Sequence, residues 1–195
     1  RSSGRMGFAV AQAAAERGAE VTLVAGPVHL PTPAGVARVD VRSAREMHAA
    51  VLAAARGSDI YVGAAAVGDF RPAGLAAHKI KKSGDDGLTL ELTQNPDILI
   101  DIGRLPQRPF LVGFAAETEN LEAYARTKLE RKKLDLIAAN RVGGGLGFDA
   151  EDSSLMLIAP DGSETLPIAP KSELARALVT RIAARYRTAK TGKPE

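Results

Sequence analysis

The sequence predicts an α/β fold of three layers: a mainly parallel sheet with helices on both faces, followed late in the chain by an antiparallel hairpin. Three observations carry that expectation. Apolar runs alternate with helical patterns through most of the chain, the order that strand–helix–strand units require. Two of the runs, 20–26 (EVTLVAG) and 59–67 (DIYVGAAAV), are almost wholly apolar, which suits parallel strands covered on both sides. Further on, Asp161-Gly162 stands between two short segments as a hairpin signal.

The elements follow in order. Small residues, Ser2-Ser3-Gly4, precede an alanine-rich helix from Phe8 to Arg17. Such a start leaves free helix N–H groups accessible, and the helix dipole adds positive potential there, so an anion site is expected. In doubly wound folds a strand feeds such a loop. None precedes Ser2 in the numbered sequence, and a first strand is expected to be missing from it. After the strand at 20–26 come a Pro/Gly-rich connection (26–35) and a short strand (37–41). Ser43 caps a helix through Ala55, and Glu46 completes a capping box. Strands are expected at 59–67, 88–92, 110–115 and 134–139, with a long charged helix at 117–133. Segments 155–159 and 164–167 form the hairpin, an amphipathic helix spans 170–186, and residues 188–195 read as a disordered tail. No repeat or linker divides this order, so residues 1–187 are expected to form one domain with a Rossmann-like or ribokinase-like sheet.

Composition narrows the chemistry. A chain of 195 residues can bury a core that needs no covalent staples. It has no cysteine, which removes disulfides, thiolate metal sites and cysteine nucleophiles and is compatible with a reducing cytosol. No apolar run approaches the roughly 20 residues that span a bilayer, and no signal-peptide pattern is present. His29, His48 and His78 are too scattered to share a helix face, so no protein-built zinc site is expected. A net charge of +3, with five Phe, three Tyr and no Trp, shows no basic–aromatic interleaving for nucleic acid.

Ligands of open α/β sheets bind beyond the carboxyl ends of the strands. Gly68-Asp69-Phe70, Ala116-Glu117-Thr118 and Asn140 all fall at such ends. A lone Asp or Asn there is more often a cap or turn former; three such ends together with an anion loop point to a site. Lys79, Lys81 and Lys82 precede the loop 83–87 (SGDDG) and could close over a polyphosphate, or simply form a solvated charge run. Asn95-Pro96-Asp97 suits a helix start, or contacts to a ribose or base. The glycine loop at 143–147 reads as a lid or a plain surface loop. Neither a nucleophile elbow nor a Walker A loop is present.

Taken together, SSGRMGFA (2–9), VTLVAGPVHLPTP (21–33), AAAVGDFRP (64–72), KIKK (79–82), NPDI (95–98), GFAAET (113–118), KLDLIAAN (133–140) and GFDAEDSSL (147–155) make the chain resemble the bacterial phosphopantothenate–cysteine ligases. These form the synthetase half of the bifunctional coenzyme A biosynthesis protein. The resemblance covers essentially the whole chain in order. It implies a cytoplasmic homodimer that joins 4′-phosphopantothenate to L-cysteine, using CTP and Mg²⁺ and passing through an acyl-cytidylate. It also implies a decarboxylase domain in the full-length protein. By the same resemblance Ser2, Ser3 and Gly4 hold the triphosphate, and Gly7 lets the helix approach closely. Asp69 helps hold the cation, and the backbone at Gly68 and Phe70 reads the cytosine edge. Lys79 acts in acyl-cytidylate formation, supported by Lys81 and Lys82. Asn95 and Asp97 contact the nucleotide, while Asn140, Gly113, Phe114, Ala115, Ala116 and Glu117 shape the acyl-substrate side. Arg1 stands where the family usually has histidine, and Gly68 where it has alanine. The family's asparagine for the second half-reaction precedes the SSG motif and is not in the numbered sequence. Two other readings remain open: an NAD(P)-binding oxidoreductase, for which G-x-G-x-x-G is lacking, and a non-catalytic dimerisation module.

Overall fold

The computed structural model describes residues 2–74, 76, 78–81, 87–117, 119–141 and 152–192. The alanine-rich segment forms α1 (Arg5–Glu16), three residues earlier than its expected start. Next come the parallel strands β1 (Val21–Ala25) and β2 (Val36–Asp40), then α2 (Ala44–Ala55). The capping box of α2 is formed as expected. The Ser43 hydroxyl accepts from the Glu46 N–H at 3.2 Å, and the Glu46 carboxylate reaches back to the Arg42 N–H at 2.8 Å.

The remaining elements are β3 (Ile60–Gly63), β4 (Phe70–Pro72), β5 (Leu92–Gln94), α3 (Ile98–Gly103), β6 (Phe110–Glu117), α4 (Leu121–Lys132), β7 (Leu136–Arg141), β8 (Asp152–Ala159), β9 (Gly162–Pro170) and α5 (Lys171–Thr191). The main sheet has the order β3-β6-β7-β8-β9. Its first three strands are parallel, and the β8–β9 hairpin adds antiparallel. The β1–β2 pair is joined to this body through α1 and α2, which both pack on β1. Strands β4 and β5 form a small antiparallel pair of their own.

Strand alternation divides the core into two layers. Val112, Leu136, Ala138, Leu155 and Leu157 face α1 and α5, where Val10, Leu174 and Leu178 meet them. Leu111, Ile137, Ala139 and Ile158 face the other way, against Val51 of α2, Ile102 of α3 and Leu129 of α4. Helices therefore cover both faces, as the apolar runs predicted, and each buried Leu, Ile or Val side chain contributes about 1.5–3 kcal/mol. Across the second layer, His48 of α2 meets Asp101 of α3 at 2.8 Å. Among the described residues no helix is long and apolar enough to cross a membrane.

Several boundaries differ from expectation. The run 59–67 is a strand only as far as Gly63, where its pairing with β6 ends; a continuous apolar run does not reveal where its partner stops. The strand expected at 88–92 lies instead at Leu92–Gln94. Leu88 and Leu90 are 66% and 61% exposed, so their alternation has no layer to pack against. The helix expected from Glu117 starts at Leu121, because β6 runs through Glu117 and Asn120 takes a left-handed conformation (φ 48°) at the N-cap. The hairpin register pairs Ala159 with Gly162, making Pro160-Asp161 the turn. Helix α5 continues to Thr191 through part of the expected tail. There Lys190 reaches Tyr186 at 2.9 Å and Asp59 at 3.5 Å, and the Tyr186 hydroxyl donates to Asp59.

Candidate active site

The loop expected to bind an anion lies at the start of α1. Gly4 is its N-cap in the left-handed region (φ 77°), a conformation a side chain would strain, and its N–H donates to the Ser2 hydroxyl at 3.4 Å. An open cleft of about 300 Å³ sits here. Ser2, Ser3 and Arg5 form one wall and residues 27–30 the other. Arg5 and His29 were not among the expected site residues. The signal for both was positional: Arg5 lies in the first turn after the anion loop, and His29 in the connection leaving the carboxyl end of β1.

Gly7 brings the first turn of α1 against Ala64, just beyond β3. A methyl at Gly7 would meet the Ala64 Cβ at 3.6 Å, an ordinary contact, so close approach alone does not demand glycine. At the end of β3 itself, Gly63 leaves room for the Tyr61 ring and Leu99. Burial pushes the Tyr61 hydroxyl up to about 12, so it stays protonated at neutral pH and is no general base.

From Ala64 the chain runs to Gly68-Asp69-Phe70, which meets the NPD segment. The Asn95 side-chain amide donates to the Gly68 carbonyl at 2.8 Å, and the Asn95 N–H donates to the Asp69 carbonyl at 2.8 Å. Arg71 donates to the Asn95 side-chain oxygen at 3.1 Å and also to the Gln94 carbonyl. Two segments singled out separately in the sequence thus form one unit at the base of the β4–β5 arm. Asp69 is exposed. Asp97 is the N-cap of α3, accepting from the Ile100 N–H at 3.2 Å, and its carboxylate also meets Lys132 at 2.8 Å. Burial pushes its pKa up, but the Lys132 and backbone hydrogen bonds outweigh that and hold it below the ordinary value. The dual reading of Asp97 as helix start or nucleotide contact therefore has its first half fully occupied.

The expected acyl-side residues divide by strand alternation. Gly113 and Ala115 are buried toward α2, α3 and α4, and the Phe114 carbonyl accepts from Lys128 at 2.7 Å. Ala116 pairs in register with Asn140. Both continue the face of Phe114 and Ala138, the side of the sheet that carries α1. Ala64 lies against the first turn of α1, while Ala116 and Asn140 lie near the carboxyl ends of β6 and β7 on the face that carries α1. Glu117 ends β6. Lys79 and Lys81 are exposed on the arm between β4 and β5, and among the described residues neither bonds to the anion loop. Lys82, Thr118 and the loops at 83–86 and 142–151 lie outside the described residues. A second cleft, about 590 Å³, opens between the start of α4 and strands β8 and β9, next to Ala139.

Among the described residues no three His, Asp or Glu side chains cluster as a metal cage. A lone exposed carboxylate such as Asp69 would suit only a cation that brings most of its ligands with it, as Mg²⁺ does with phosphates.

The model of the DNA/pantothenate metabolism flavoprotein C-terminal domain matches residues 1–186. The chain belongs to this family. Within it, the chain is 54% identical to the coenzyme A biosynthesis bifunctional protein CoaBC of Vibrio cholerae over 91% of its own length and 45% of that relative. Against CoaBC of Haemophilus influenzae the identity is 52%, over 95% of the chain and 46% of the relative. The chain spans about half the length of the curated relatives it matches. A solved C-terminal domain of CoaBC, 35% identical, superposes with a TM-score of 0.79 over 97% of the chain and 84% of that structure.

Proposed function

We propose that this chain is a CTP-dependent phosphopantothenate–cysteine ligase domain acting in coenzyme A biosynthesis. The observation that carries the reading is the open cleft at the start of α1, walled by Ser2, Ser3, Arg5 and residues 27–30; the bonded Gly68–Asn95 unit beyond β3 and the paired Ala116 and Asn140 near the carboxyl ends of β6 and β7 support it. The identity to CoaBC proteins supports the choice of substrates.

In the proposed reaction the 4′-phosphopantothenate carboxylate attacks the α-phosphorus of CTP. The bond to the β-phosphate breaks and pyrophosphate leaves. The cysteine amine then attacks the acyl carbon, the acyl–phosphate bond breaks, CMP leaves, and the amine's proton passes to solvent. No protein nucleophile is needed; positioning and positive charge do the work. Ser2, Ser3, Gly4 and the first turn of α1 hold the triphosphate, with Arg5 and His29 lining the same cleft. Backbone groups at Gly68 and Phe70, held in place by Asn95, read the base. Lys79, with Lys81 and Lys82 nearby in sequence, neutralises charge in acyl-cytidylate formation. Asp69 would hold Mg²⁺ together with phosphate oxygens, and the bound cation would offset phosphate charge. Asn140 and Ala116 face the acyl substrate.

A cytoplasmic homodimer belongs to the same reading. Phe70, Ile80, Leu88, Leu90 and Leu92 are 55–66% exposed along a single arm, an apolar surface that suits a second copy. The full-length protein would also carry a decarboxylase domain, since its relatives are bifunctional.

The test is pyrophosphate release with CTP, Mg²⁺ and 4′-phosphopantothenate, with and without cysteine. Release that rises with cysteine is expected. NADH binding without CTP binding would favour an oxidoreductase, and dimerisation without CTP affinity a non-catalytic module.

A further inference from the structure

Arg38 lies on β2 outside the cleft, and only 17% of its side chain is exposed. Its guanidinium makes contacts in several directions. Nε donates to Asp40 at 2.8 Å. Nη1 donates to the Leu30 carbonyl at 2.7 Å, and Nη2 to the Val28 carbonyl at 3.4 Å. The guanidinium carbon stands 5.2 Å from the centroid of the Phe8 ring, within cation–π range. One side chain thereby ties β2, α1 and the 28–30 wall of the cleft together.

That wall touches the anion loop directly. A Cβ on Gly4 would lie 3.2 Å from Val28 Cγ1 and 3.6 Å from Leu30 Cδ1. The two residues whose carbonyls Arg38 holds are the two whose side chains pack over the Gly4 backbone. We propose that Arg38 is a positioning residue for nucleotide binding: it fixes the 28–30 wall against Gly4, so that the cleft is already formed when a triphosphate arrives. This rests on the nucleotide reading of the cleft. Arginine suits the task because its planar fork donates in several fixed directions, whereas lysine supplies a point charge on a flexible stem. Without the clamp, the wall occupies its binding position for a fraction of the time, and apparent affinity falls by that fraction.

Calorimetric titrations with CTP and with inorganic tripolyphosphate, initial rates of pyrophosphate release and thermal unfolding test this on the wild type, Arg38→Lys and Arg38→Met. Both variants are expected to weaken both ligands and raise the CTP KM by about tenfold, with kcat within about twofold. Arg38→Lys is expected not to rescue binding although it keeps the charge. Wild-type binding by Arg38→Lys would assign the effect to charge and overturn the proposal. Normal binding by both variants with a lowered Tm would make Arg38 purely structural, which overturns it too. If Arg38→Met fails to fold, Asp40→Ala carries the test, since it frees one side of the guanidinium. A rise of about threefold in KM is expected there, and none would count against the clamp. A wild type that binds neither ligand would remove the nucleotide reading itself, and the proposal with it. Binding by the wild type with unaffected variants removes only the role of Arg38.

Discussion

Asn95 holds Gly68 across 27 positions of sequence: its side-chain amide donates to the Gly68 carbonyl at 2.8 Å. Its N–H donates to the next carbonyl, that of Asp69. The Gly68-Asp69-Phe70 backbone, proposed to read the base, is therefore shaped from outside by the NPD segment rather than by its own sequence.

Replacing Asn95 with Ala removes the side-chain bond and one of the two acceptors of Arg71. A hydrogen bond of this kind is worth about 0.5–1.5 kcal/mol, so CTP affinity should fall by roughly three- to tenfold in calorimetric titration. Asn95→Asp should be worse, because a carboxylate cannot donate to Gly68. Equal CTP affinity in all three proteins would mean that the Gly68 backbone takes no part in nucleotide recognition.

Lys79→Gln is expected to lose about 10²–10³ in the rate of CTP-dependent pyrophosphate release, the scale of losing one charge-stabilising group. Nucleotide binding should weaken only modestly. A release rate near wild type would remove Lys79 from the proposed chemistry.

Gly113→Ala should destabilise the fold. The new Cβ would stand 2.7 Å from Leu134 Cδ1, and Leu134 is only 4% exposed, so its side chain has little space to move into. Overpacking of this kind costs about 1–3 kcal/mol. Urea unfolding should show a lower midpoint with unchanged slope, and an unchanged midpoint would mean that the β6–β7 region relaxes freely.

Asp97→Ala removes the N-cap of α3, a loss of about 0.5–2 kcal/mol, and also the carboxylate that the largely buried Lys132 meets at 2.8 Å. The Asp97 carboxyl titrates below its ordinary value of 3.8 in the folded state. Its contribution is therefore present above about pH 4 and is lost as pH falls through the lowered value. Urea midpoints of the two proteins should differ at pH 7 and converge toward pH 2–3. A gap that is constant across that range would exclude the charged carboxylate as its source.

Local chemistry made part of this molecule legible in the sequence. The Ser43–Glu46 capping box, the glycine-capped helix start after Ser2-Ser3, the two-sided apolar strands and the late hairpin depend on neighbours a few residues apart, and each formed where the pattern placed it, within a few residues. Where strands stop depends on their partners. The run 59–67 carries no mark at Gly63, and 88–92 alternates as a strand would without a sheet to join. The same limit hid Arg38, an ordinary basic residue on a short strand until folding brings Val28, Leu30 and Phe8 around it. Periodicity and capping are properties of a short stretch of chain. The ends of strands, the Asn95–Gly68 bond and the wall over Gly4 arise from segments distant in sequence, and only the packed fold decides them.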